Sequence, residues 1–270
     1  PLVVDVDSSI PDQLRYSGFA TRGPLLWVAD ALERRALASS AAVITVCTSL
    51  TEGVKRRAPA ARIFQVEDPP LVDAASPPPP GIVSKLRRDL ALAPGPVVLY
   101  SGNFESYQGV ELLVDAAALV PQAQIVLMGG EPFEIEALGR RAGTAPRCTF
   151  AGKRPPSELP AFLALADVLV SPRTKGENTP FKVYTYLASG KAIVATRIPS
   201  HTQLLDDSVA FLVEPTPEGL AAGIRQALDT PVEAATRAKR GLDLIERKYS
   251  AARYAEKVGQ AYASVVAQAR

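Results

Sequence analysis

The chain has 270 residues, 47% hydrophobic and 21% charged, with a formal net charge of +2. That balance excludes a disordered chain, is too small to argue for a nucleic-acid partner, and at this length prefers two domains. No apolar run approaches the ~18 residues of a membrane span, although Lys and Arg spread along the chain leave peripheral approach to an acidic membrane surface open. Cys47 and Cys148 sit in or beside apolar strand-like runs and read as reduced core residues of a cytoplasmic protein. Neither zinc-ligand spacing nor a secretory signal is present.

The chain opens on Pro1-Leu-Val-Val-Asp-Val-Asp7, which starts mid-strand without a Met and raises the expectation that a first part is missing. Leu2 to Val6 reads as a strand ending in the polar loop Asp7-Ser-Ser9. Pro24 to Ser40 has Leu25, Val28, Ala29, Leu32 and Ala36 at helical spacing. Ala42 to Cys47 is a strand, Thr48 to Ala58 a helix ended by Pro59, and Arg62 to Val66 a strand. Three strands with two helices make about half of a doubly wound domain. Ser76-Pro-Pro-Pro-Pro-Gly81 is stiff and extended, and marks a linker. Ile82 to Leu92 is a basic helix.

The second half is more complete. Strands are expected at 97–102, 124–128, 148–152, 167–172, 192–196 and 210–213, alternating with helices that include Val110 to Val120. Helices at 217–228, 231–249 and 251–268 close the chain. The pattern is α/β, a parallel sheet covered on both faces. Expected bounds are 1–75 for a first, incomplete domain, 76–95 for a linker and basic helix, 96–250 for a second domain, and 251–270 for a final helix.

The stretch 173–196 carries the chemistry. Arg173, Lys175, Glu177 and Asn178 form a polar loop at a strand's carboxyl end, the ligand edge of an open α/β sheet. Thr179 reads as an N-cap and Pro180 as the first helical residue, with Gly190 as the stop. A helix N-terminus with nearby cations favours an anion, while a carboxylate and an amide suit hydroxyls. The pattern fits a ligand with phosphates and a sugar; a solvated charged loop capping a helix is the alternative.

Glu177-Asn-Thr-Pro-Phe-Lys-Val-Tyr-Thr185, with the small-residue stretch to Thr196, resembles the donor-binding segment of retaining GT-B glycosyltransferases of family 4, the group 1 transferases. There the usual form is Glu-Gly-Phe-Pro, four residues and a second Glu. Glu177 and Pro180 match, but the second Glu, which in that family holds the nucleotide ribose, falls on Thr185. Gly102-Asn-Phe-Glu-Ser-Tyr-Gln-Gly109 lines up with the family's Gly-Arg-Leu-x-x-x-Lys-Gly loop. Its diphosphate-gripping Arg and Lys are here Asn103 and Gln108, so the positive charge is expected from Arg173, Lys175 or Lys182.

The resemblance implies two Rossmann-like domains, the first incomplete and acceptor-side, the second binding the nucleotide sugar, with the final helix crossing back. It implies retaining, metal-independent transfer of a hexosyl group from a nucleotide-diphosphate sugar, with no cofactor. The acceptor would be a glycan, a lipid-linked or a small molecule, and the place the cytoplasm or the inner face of the membrane. Glu177 would hold sugar hydroxyls. Gly102 and the helix start would face the diphosphate, Gly129 and Gly130 would let the nucleotide approach, and the backbone around Lys153 and Arg154 would read the base. His201, the only histidine, sits where sugar or phosphate contact is expected, or a role at a helix start. The fragment alone is expected to be inactive.

Two rivals stand beside this: a sugar-nucleotide epimerase of the same fold, and a non-catalytic binding module, toward which Asn103, Gln108 and Thr185 all point. No Gly-x-Gly-x-x-Gly follows either first strand and no Gly-x-x-x-x-Gly-Lys-Ser/Thr occurs, which argues against a dinucleotide oxidoreductase and a phosphate-loop nucleotidase.

Overall fold

The computed structural model describes residues 1–16, 19, 22–72, 77–143 and 147–267. Ser76, at the head of the proline run, and Gln268, at the expected end of the last helix, lie outside the described residues. Contacts divide the chain into two units. Unit 1 takes Pro1–Pro69, Lys175–Pro180 and Tyr249–Arg270; unit 2 takes Pro70–Thr174 and Phe181–Lys248.

Unit 1 runs β1 (Val3–Val6), α1 (Ile10–Tyr16), α2 (Pro24–Ser39), β2 (Ala42–Thr45), α3 (Thr48–Arg57) and β3 (Ile63–Gln65), with the C-terminal helix Ala251–Val266. The strands form a parallel sheet in the order β1-β2-β3. Alternation along β2 sends its apolar side chains to both faces. Val43 joins Val6, Leu37, Leu50 and Val54 in one core, while Ile44 joins Val66 and Ala261 of the C-terminal helix in another. Arg57 at the end of α3 meets Asp12 of α1 at 2.9 Å and Glu33 and Asp30 of α2 at 3.4 and 3.5 Å, tying the three helices together. The short helix α1 follows the loop Asp7-Ser-Ser9, in a stretch that carries no element in the sequence reading.

Unit 2 runs α4 (Ile82–Asp89), β4 (Val97–Ser101), α5 (Val110–Ala117), β5 (Gln124–Met128), α6 (Pro132–Ala142), β6 (Cys148–Gly152), α7 (Leu159–Leu165), β7 (Val168–Ser171), α8 (Phe181–Ala188), β8 (Ala192–Thr196), α9 (Pro199–Thr202), β9 (Phe211–Val213), α10 (Pro217–Asp229) and α11 (Pro231–Lys248). Its six strands are all parallel, in the order β6-β5-β4-β7-β8-β9. Every residue of β4, β5, β7 and β8 is buried, which is why these strands read as unbroken apolar runs. The chain steps outward from β4 to β6, returns to β7 beside β4, and steps out the other way. The reversal between β4 and β7 is a topological switch point, where an open α/β sheet leaves a crevice at its carboxyl edge. α8 begins at Phe181, one residue later than expected, so Thr179 and Pro180 close the loop and Pro180 is not its first helical residue. α4 ends at Asp89 and α5 at Ala117, each three residues short of the sequence reading.

Two helical glycines should respond oppositely to the same change. On α10, a Cβ at Gly223 would lie 2.6 Å from Val213 Cγ1 and 2.9 Å from Val194 Cγ1, whereas on α6 nothing lies within 4 Å of one at Gly139. Gly139→Ala should stabilise by about 0.5–1 kcal/mol through helix propensity. Gly223→Ala should destabilise by about 1–3 kcal/mol through overpacking. Denaturant midpoints measure both; equal shifts of the same sign would refute the close α10–sheet packing.

Candidate functional site

At the switch point, the loops leaving β4, β5 and β6 are laced backbone to backbone. Gly102 N donates to Met128 O (3.0 Å) and Gly129 N to Gly152 O (2.8 Å). Gly129 is at φ +126°, and a Cβ there would overlap the Gly102 carbonyl; one on Gly130 would enter the Phe104 ring. The close approach these two glycines permit is thus taken up by the protein's own neighbouring loop. Tyr186 of α8 fixes the end of β4: its hydroxyl accepts from Ser101 N at 2.8 Å and lies 3.1 Å from Ser101 Oγ.

The cation nearest this lacing is Lys182, in the first turn of α8. Its Nζ donates to Tyr100 Oη (2.8 Å) and Gln108 Oε1 (3.1 Å), and stands 3.9 Å from the Tyr100 ring centre. A Cβ on Gly102 would lie 2.7 Å from that nitrogen. Tyr100 Oη in turn donates a hydrogen bond to the Asn103 carbonyl at 2.6 Å. The side chain of Lys182 keeps part of its surface, but the ammonium is ringed by protein atoms. Desolvation, helped by the charge of Arg173, pushes its pKa well below the ordinary lysine range.

Gln108 is therefore a buried acceptor for a lysine arriving from another element, and Asn103 contributes its backbone carbonyl while its side chain is exposed. Arg173 is only 6% exposed, with its guanidinium 5.1 Å from the centre of the Tyr107 ring. Lys175 is exposed.

Thr185 is buried, and its hydroxyl accepts from Leu71 N at 2.9 Å, so one lone pair already serves the backbone. His201 is wholly enclosed. Its Nδ1 lies 2.8 Å from Thr196 O, which can only accept, so Nδ1 carries the proton and Nε2 accepts from Ser171 Oγ at 2.8 Å. Thr196 Oγ1 in turn donates to the Arg173 carbonyl. With both ring nitrogens committed and no exposed surface, His201 offers no contact to a sugar or phosphate. Instead it pins the exits of β7 and β8. Burial pushes its imidazole down to about 4.

Lys153 is exposed and paired with Glu131, and Arg154 Nε donates to Ala151 O at 2.9 Å. Glu177 and Asn178, which fall in unit 1, line a small cavity with Ser8, Ser9, Asp12, Gln13 and Leu50. Thr179 and Pro180 beside them are buried. Burial, with Asp7 and Asp5 nearby, pushes the Asp68 carboxyl up to about 6. Among the described residues no cluster of His, Cys, Asp and Glu is arranged to hold a metal, no helix is long and apolar enough to cross a membrane, and neither cysteine is in a disulfide. Tyr100, Tyr186, Ser171 and Thr196 carry much of this geometry, and no local motif marks them in the sequence.

The sequence profile of Glycosyl transferases group 1 matches residues 95–230, half of the chain. The chain belongs to that family. This group 1 member is 26% identical to alpha-D-kanosaminyltransferase of Streptomyces kanamyceticus, over 93% of its own length and 67% of that protein. It is 29% identical to D-inositol 3-phosphate glycosyltransferase of Acidothermus cellulolyticus, over 57% of this chain and 38% of that one. The fold matches sucrose-phosphate synthase from Thermosynechococcus elongatus with a TM-score of 0.81 and 24% identity, over 98% of this chain and 68% of that one. It also matches Anabaena HepE, solved in complex with UDP-glucose, with a TM-score of 0.82 and 19% identity, over 98% and 72%. The architecture is GT-B.

His201 gives a pH signature. The folded imidazole takes a proton only near pH 4, while an unfolded one does so near 6.5. Its contribution is fully present above pH 6.5 and drains away as pH falls toward 4, by about 2 kcal/mol between pH 7 and pH 5. His201→Gln should be less stable than the parent at pH 7 yet lose about 2 kcal/mol less over that interval. Denaturant midpoints at the two pH values decide; parallel losses in both proteins would mean that the imidazole titrates normally.

Proposed function

We propose that this group 1 protein is a family 4 enzyme that transfers a hexosyl group, with retention and without a metal, from a nucleotide-diphosphate sugar to a glycan, lipid-linked or small-molecule acceptor in the cytoplasm. The observation that carries the reading is Lys182 held against Gly102 and Gln108 at the sheet's switch point. A diphosphate arriving there would draw the Lys182 nitrogen into its charged form in a poorly solvated site, where charge interactions are strong. Glu177, on the loop before α8, would hold hydroxyls of the transferred sugar. In the front-face course that the family resemblance implies, the leaving phosphate helps deprotonate the acceptor, and the protein supplies position and electrostatics. The UDP-glucose held by HepE supports a nucleotide-hexose donor.

A second reading, a nucleotide-sugar binding module without turnover, is favoured by Thr185. The residue at the ribose-binding position is neutral and already bonded to Leu71 N.

Incubation with UDP-glucose and GDP-mannose and a panel of acceptors separates transfer, donor epimerisation and binding alone. In the transferring protein, Glu177→Ala should cut turnover about 10- to 150-fold, the loss of roughly 1.5–3 kcal/mol from a charged hydrogen bond, with the melting temperature unchanged. Lys182→Met keeps the apolar stem and should hold or raise the melting temperature while weakening donor binding, more at low ionic strength. If the Glu177 variant loses stability and turnover together, or the Lys182 variant binds donor as the parent does, those assignments fail.

A further inference from the structure

If the diphosphate lies at the β4–β7 reversal, as the donor reading requires, the nucleoside half must extend over one flank of the carboxyl edge. On the β8 flank the strand exit is lined by enclosed side chains: His201 and Thr196 are buried there, and the exposed Arg197 reaches Asp207 at 2.7 Å and the Leu212 carbonyl. The β5–β6 flank differs. Its floor is backbone: Gly129 and Gly130 are pressed against Gly102 and Phe104, and nothing lies within 4 Å of the Cβ position of Gly152. Neighbouring strands are about 4.8 Å apart, so β5 and β6 lie within the span of a nucleoside measured from β4. The exposed Glu131–Lys153 ion pair bridges the two strand exits. Beside it, in the first turn of α6, stands Phe133, with 70% of its surface exposed.

Phe133 is not a core residue turned outward by chance of periodicity. α6 buries Leu138, with Ile135 packed against the same core, and Phe133 falls outside that stripe. Its turn is held by a reciprocal capping box between Glu131 and Glu134, so the ring is presented from a fixed backbone.

We propose that Phe133 is the platform on which the donor's nucleobase stacks, with the nucleoside lying across the bare backbone of the β5 and β6 exits. This rests on the donor reading and adds the residue that distinguishes a nucleotide from a simple diphosphate. An aromatic face accepts any base, so stacking supplies affinity for the base without selecting among bases.

The test compares UDP, GDP and inorganic pyrophosphate as ligands by calorimetry. In the parent, both nucleotides should bind more tightly than pyrophosphate. Phe133→Ala should weaken UDP and GDP by about tenfold and leave pyrophosphate unchanged, and Phe133→Tyr should restore the nucleotides. The ring is solvent-exposed, so an unchanged melting temperature should accompany the loss. The proposal is overturned if Phe133→Ala binds the nucleotides as the parent does, or weakens pyrophosphate equally. A parent that binds pyrophosphate as tightly as UDP removes the platform but leaves the phosphate site standing. A parent that binds none of the three removes both.

Discussion

The desolvated ammonium of Lys182 is the constraint around which the carboxyl edge of unit 2 is arranged. A lysine nitrogen drawn out of water needs acceptors, and the structure provides the hydroxyl of Tyr100 and the amide oxygen of Gln108, with the Tyr100 ring beneath. Those partners satisfy geometry without supplying a negative charge. A carboxylate in their place would hold the ammonium as a closed ion pair and leave nothing for an incoming anion. Neutral acceptors leave the nitrogen open to an incoming anion, and burial with Arg173 nearby disfavours its charged form until one arrives.

That arrangement depends on the sheet. Lys182 comes from α8 after β7, while Tyr100, Gly102 and Gln108 come from β4 and its exit loop; they meet because β4 and β7 are neighbours although distant in sequence. Tyr186, about one turn along α8 from Lys182, bonds the last residue of β4 and locks the helix to that strand. On the far side, the neutral His201 ties Ser171 to Thr196, and Thr196 reaches the carbonyl of Arg173. The Lys182 nitrogen and the Arg173 carbonyl thus each meet a buried hydroxyl, of Tyr100 and of Thr196.

Much of the fold was legible. Unbroken apolar runs such as Val97–Ser101 and Ala192–Thr196 can only be strands buried on both faces, and proline and glycine punctuate the helices between them. The short helices α1 and α7 were not: each has seven residues, too few for a period to show. The site divides in the same way. The loop 173–178 and the lack of charge at Asn103 and Gln108 were visible, because they are local. That Lys182 stands against Gly102 was not, because it depends on a contact between residues about 80 apart. Thr185 and His201 looked ligand-facing by position along the chain, yet Thr185 spends a lone pair on Leu71 and His201 is enclosed. Phe133 carries no motif; only its exposure beside a bare backbone floor marks it.

A diphosphate bound at Lys182 must favour the charged amine that burial disfavours, so binding and protonation are linked. Calorimetric titration of UDP in steps from pH 7 to pH 10, in buffers of different ionisation enthalpy, measures that link directly. Lys182 as the phosphate-neutralising group predicts net proton uptake on binding in the parent and none in Lys182→Met. Binding without proton uptake in the parent, or the same uptake in both proteins, would contradict it.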